Sequence, residues 1–293
     1  MAFLQFKSVE VYPHDSPQKS ELLKIFDKIK TYTSFIIQTD PALSILTNIA
    51  NAVYDKITVE NIIRPKPLSN VIESSVTEEQ QLELFRKIRQ LDIILYDSIA
   101  SMGEDDTING QQRSCFRNVY GMTIRSQKKI PSIVLNSRLL EGENEACTIV
   151  FGSIVLLHEI THGLVFPGFS STPAREAFRC YHDVDTYDGG CYLKHQMCGG
   201  EMFIHKTNKK MYLLQQGNKV RFVTGDLLQH IYDEHSFENL LDYANMGESE
   251  SMSLTKPQPT GEYSSDVCMI NLPNKTEGAK HCPTGEYHKP LCN

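Results

Sequence analysis

Two histidines four residues apart enclose a glutamate in the stretch Leu157-His158-Glu159-Ile160-Thr161-His162-Gly163. On a helix, residues at that spacing share a face, so both imidazoles can reach one metal ion. Neutral imidazole suits zinc, and two such ligands leave room for a third side chain and a water. The metal lowers the pKa of that water to near neutrality. Glu159, next to the first ligand, is placed to take the proton as a general base and later return it. The chemistry open to these residue types is hydrolysis by metal-activated water, and the expected cofactor is Zn2+.

The plain alternative is a helix that carries two histidines and a glutamate by accident. With this chain's His and Glu content, the pattern would arise in roughly two chains per hundred. The residues leading up to His158 are nearly all apolar, which predicts a buried helix. Unpaired imidazoles are costly there, and this favours metal binding over accident.

Residues 158–162 resemble the active-site helix of zincin metallopeptidases. Gly168 stands six residues after His162, where the metzincin pattern has a third histidine, so the gluzincin pattern is the closer one. That resemblance implies an acidic third ligand on a following helix. Residues 171–200 are also similar to uncharacterised HExxH proteins in which Thr-Pro precedes a helix bearing Glu-x-Gly and ending at Gly-Gly. Thr172-Pro173, Asp188-Gly189-Gly190, Tyr192 and Gly199-Gly200 fall in that order here. Carried over, the resemblance implies that His158, His162 and Asp188 hold the metal, with Asp188 one methylene shorter than the glutamate of the pattern. Glu176, Glu201 and His182 are the alternatives for that third place. The resemblance further implies an edge strand for an extended substrate, expected at residues 130–135. It also implies a Tyr or His donor to the transition state, with Tyr181, Tyr187, Tyr192 and His195 as candidates.

The elements that must position these groups are legible in outline. Ser16-Pro17 reads as a cap and first turn, followed by Leu22, Ile25, Phe26 and Ile29 at helical spacing. A second helical period follows Pro41 as far as Ile57. A third starts at Thr77, with Gln80 placed for a capping box, and continues through Leu91 and Ile94. Residues 119–124 and 130–135 read as strands, and Pro131 suits an edge or a strand's first residue. A long apolar helix is expected from Glu145 to about Phe166. Further helices are expected from Thr172-Pro173, over residues 187–198 and over residues 237–244. Residues 210–214 and 219–223 read as a hairpin with Gly217-Asn218 near its turn.

The expected fold is therefore α+β, with a helical N-terminal portion (residues 1–110), a zincin-like catalytic core (111–245) and a loop-rich, cysteine-containing tail (246–293). The tail repeats Pro-Thr-Gly-Glu-Tyr at residues 259–263 and 283–287, each followed by a cysteine at the same offset. Read plainly this is a local duplication; the sharper reading is a small Cys module, either disulfide-linked or holding a second metal through Cys282, His288 and Cys292.

Composition bounds the rest. The 293 residues are 40% hydrophobic and 22% charged, which is ordinary for a globular chain. A formal charge of −7 argues against nucleic acid or an anionic membrane as the main partner. A peptide or protein substrate is the partner expected, and the sequence is silent on oligomeric state. The first residues lack the apolar core and cleavage site of a secretory signal, so the cytoplasm is the expected compartment, with the eight cysteines mostly reduced. Two other readings serve the same motif: a non-catalytic, metal-stabilised binding protein, and a zinc hydrolase of a non-peptide substrate. A cysteine-based hydrolase has no local signature to support it.

Overall fold

A computed structural model of the chain describes residues 3–52, 76–100, 107–108, 111–112, 119–126, 129–164, 189–205, 209–215, 219–245, 252–253 and 263–264. In chain order the elements are β1 (Ser8–Tyr12), α1 (Lys19–Ile37), α2 (Asp40–Ala52), α3 (Glu78–Ile88), β2 (Asp92–Tyr96), β3 (Thr107–Ile108), β4 (Gln111–Gln112), β5 (Gly121–Ser126), β6 (Lys129–Asn136), α4 (Glu145–Leu164), α5 (Gly189–Cys198), β7 (Glu201–His205), β8 (Met211–Gln215), β9 (Lys219–Phe222), α6 (Gly225–Glu234), α7 (Glu238–Asn245), β10 (Met252–Ser253) and β11 (Tyr263–Ser264). The class is α+β, as expected.

The most apolar segment becomes the central helix. Asn144 opens α4 by accepting the Cys147 N–H on its side-chain oxygen at 2.8 Å. From Ala146 to Leu164 every residue is buried. A helix apolar on all sides needs protein on all sides. Here α1, α2, α3, α5 and α6 supply it together with β5 and β6. By length and hydropathy alone α4 could cross a bilayer, but its apolar stretch is enclosed within the fold.

One sheet has the order β1-β2-β6-β5, and the other the order β10-β9-β8-β7-β11. In the first, β1, β2 and β6 run parallel while β5 closes the edge antiparallel to β6. Two corrections follow. The strand at residues 130–135 is internal, lying between β2 and β5, and among the described residues β1 and β5 end the sheet. Pro131 is tolerated inside the sheet because β2 pairing begins only at Ser132 and the β5 register shifts between Ile124 and Ser126. The expected helical N-terminal portion also contributes β1 and β2, so this sheet is built from strands on both sides of residue 110.

Local expectations fare unevenly. The capping box at Thr77 forms: Thr77 accepts from the Gln80 N–H at 3.2 Å, and the Gln80 side chain accepts from the Thr77 N–H at 2.9 Å. The helix it opens ends at Ile88, however, and Ile94 belongs to β2. α1 starts at Lys19, beyond Ser16-Pro17. The Ser16 hydroxyl instead donates to the buried Asp97 at 2.6 Å, tying the start of α1 to the end of β2. The 210–223 hairpin forms as β8 and β9, and β7 joins it. The helix expected at 237–244 is α7. The tail adds two short strands to this sheet, β10 beside β9 and β11 beside β7. The helix expected from Thr172-Pro173, the Gly217-Asn218 turn, residues 53–57 of the second helical period and the cysteines of the tail lie outside the described residues. Cys147, Cys191 and Cys198 are buried and are not joined by disulfides to one another, and the other five cysteines lie outside the described residues.

Candidate metal centre

His158 and His162 occupy one face of α4, and their Nε2 atoms are 3.0 Å apart. The rings meet edge to face with centroids at 4.7 Å. Both are fully enclosed, as is Glu159 between them. Polar groups this deep need directed partners, because burial without them costs free energy. Two nitrogen donors on one tetrahedral zinc, at about 2.0–2.1 Å each, would lie roughly 3.3 Å apart. As they stand the two rings are hydrogen-bonded to each other, one nitrogen donating to the other, at a separation only slightly shorter than that of two ligands on one ion.

Two neighbouring elements close around the motif. The edge strand β5 lies against α4 with Gly121 and Thr123 on the helix side, while Met122 and Ile124 pack on the opposite face with Tyr96, Val119 and Val134. Thr123 Oγ1 is 2.8 Å from Oε2 of Glu159 and 2.9 Å from the backbone oxygen of the same residue. Gly121 is there because nothing larger fits: a Cβ on it would come within 2.9 Å of Glu159 Cγ and 2.7 Å of Val155 Cγ1. At the start of α5, Gly190 meets the first histidine. A Cβ on Gly190 would stand 2.2 Å from Nδ1 of His158, so the helix can approach the ring only with glycine at that position. The Thr161 hydroxyl donates to the His158 carbonyl at 2.7 Å.

Among the candidates for a third ligand, Asp188, Glu176 and His182 lie outside the described residues. Glu201 is described: it begins β7, is buried, and has Lys194 Nζ at 3.7 Å from its Oε2. Among the described residues, no group of three or more His, Cys, Asp and Glu side chains is placed to hold a metal ion. Of the expected transition-state donors, Tyr192 and His195 sit half-buried on α5, whereas Tyr181 and Tyr187 are outside the described residues.

Sequence reasoning missed Gly121, Thr123 and Gly190 as parts of this site. Strand alternation puts Gly121 and Thr123 on one face, but no local signal says which helix that face meets. Gly190 was noticed only as part of a Gly-Gly pair. Comparison with protein families, with characterised proteins and with solved structures gives no match for this chain.

Proposed function

We propose that this chain is a zinc-dependent metallopeptidase with a zincin-like core. In this reading His158, His162 and Asp188 hold the ion and Glu159 is the general base. The observation that carries it is the convergence of the two Nε2 atoms to 3.0 Å on an otherwise apolar helix, with a carboxylate between them. When bound, zinc supplies Lewis-acid chemistry and lowers the pKa of a water toward neutrality. Glu159 takes the proton from the attacking water and returns it to the departing amine.

Two further features support the reading. The first is β5, which ends its sheet among the described residues beside the helix that carries the motif. The zincin resemblance puts there the strand that pairs with an extended substrate, although residues 121–124 are buried in the chain alone. This moves the proposed docking strand from residues 130–135 to Gly121–Ser126. The second concerns the third ligand. Glu201 is already faced by the Lys194 ammonium, while Asp188 stands two residues before Gly190, the glycine that packs on His158.

The test is hydrolysis of a peptide library by the zinc-loaded chain near pH 7. Turnover should vanish on chelation, return with zinc, and fall at least ~100-fold in Glu159→Gln. Turnover that survives both chelation and Glu159→Gln would sink the proposal.

A further inference from the structure

We propose that Thr123 is a positioning residue that fixes the Glu159 carboxylate from the neighbouring strand β5. The inference rests on the reading of Glu159 as the general base and adds a residue from a different element to that machinery.

The geometry is specific. One hydroxyl oxygen on β5 lies within hydrogen-bond distance of two acceptors on the same residue of α4, the carboxylate Oε2 at 2.8 Å and the backbone oxygen at 2.9 Å. Thr123 is itself buried. A threonine hydroxyl has one proton to donate and two lone pairs to accept with. When Glu159 is ionised, that proton goes to Oε2, because a hydrogen bond to a charged acceptor is the stronger one.

The bond to Oε2 sets the carboxylate's rotamer from a second element, so the sheet holds the proposed base as well as its own helix does. The space for this is also built in: Gly121, two residues earlier on the same strand face, leaves room for the Glu159 side chain to lie against the strand.

The experiment compares the zinc-loaded parent with Thr123→Val, which keeps the shape and removes the hydroxyl, and with Thr123→Ser, which keeps the hydroxyl. Thr123→Val should lose kcat by ~10-fold or more with KM and zinc content unchanged, and Thr123→Ser should stay within ~3-fold of the parent. Thermal midpoints of the metal-free proteins give a readout independent of turnover. The loss caused by Thr123→Val should shrink when Glu159 is already Ala, because the two groups interact. Should the valine variant not fold, Thr123→Cys, a weaker donor of similar size, is read the same way. Parental kcat in the valine variant, an equal loss in the serine variant, or additive midpoints would overturn the inference while leaving the proposed function intact. A parent without zinc-dependent turnover overturns the proposed function, and this inference with it.

Discussion

The ammonium of Lys194 stands 3.7 Å from Oε2 of Glu201, and both side chains are sealed from solvent. The pair joins α5, whose first turn packs on His158, to the first strand of the five-stranded sheet. An enclosed ion pair contributes little net stability against a well-packed apolar pair, but breaking it strands one charge. Lys194→Met or Glu201→Gln alone should therefore cost about 3–5 kcal/mol in chemical denaturation. The double variant should lose less than the two losses added together. Folded Glu201→Gln should keep the parent's zinc content, because this carboxylate serves Lys194. Loss of zinc without loss of stability would instead make Glu201 the third ligand.

Gly190 and Gly189 offer a paired test of how α5 holds the first histidine. A methyl group at Gly190 meets the His158 ring at 2.2 Å, whereas one at Gly189 makes only ordinary contacts of 3.5 Å with Ile49 and Thr161. Gly190→Ala should cost about 1–3 kcal/mol and weaken zinc binding at least ~10-fold by tilting the ring. Gly189→Ala should leave zinc affinity within ~3-fold of the parent. Calorimetric zinc titration of the two variants separates these outcomes; equal effects would show that the contact with His158 is not what matters.

Burial pushes the Cys198 thiol from its ordinary 9.0 up to about 12, with nearby Lys194 opposing part of the shift. Burial likewise raises Cys147 to about 11. The folded protein thus holds these protons when the unfolded chain has lost them. The associated stability is fully present below about pH 9 and is lost as pH rises from there toward 11–12. Urea midpoints should be flat from pH 7 to 8.5 and then fall, and Cys198→Ala should make the alkaline fall shallower. Both thiols should resist alkylation in the native state at neutral pH. Rapid modification of folded protein would contradict their enclosure.

The motif itself was legible because all of it lies within five consecutive residues, where helical periodicity alone aligns the side chains. Its burial was legible from the apolar run before His158. Thr123 was not, because it meets Glu159 across 36 residues of chain, and nothing local encodes which strand face meets which helix. The helical reading of the first hundred residues failed at β2 for a related reason. Leu91 and Ile94 continue the period of α3, and no Gly or Pro marks its end at Ile88. Pairing with β1 and β6, two segments distant in sequence, overrides that local pattern. The edge strand was misassigned because Pro131 reads locally as an edge signal, whereas the irregular β5 pairing accommodates it inside the sheet.

The most direct test of the account is the zinc content of the purified chain beside a His162→Ala variant. The account predicts about one zinc per parent chain and little in the variant, with both proteins folded. A parent that takes up no metal after zinc is supplied would contradict it and leave His158 and His162 as an accidental pair on a buried helix.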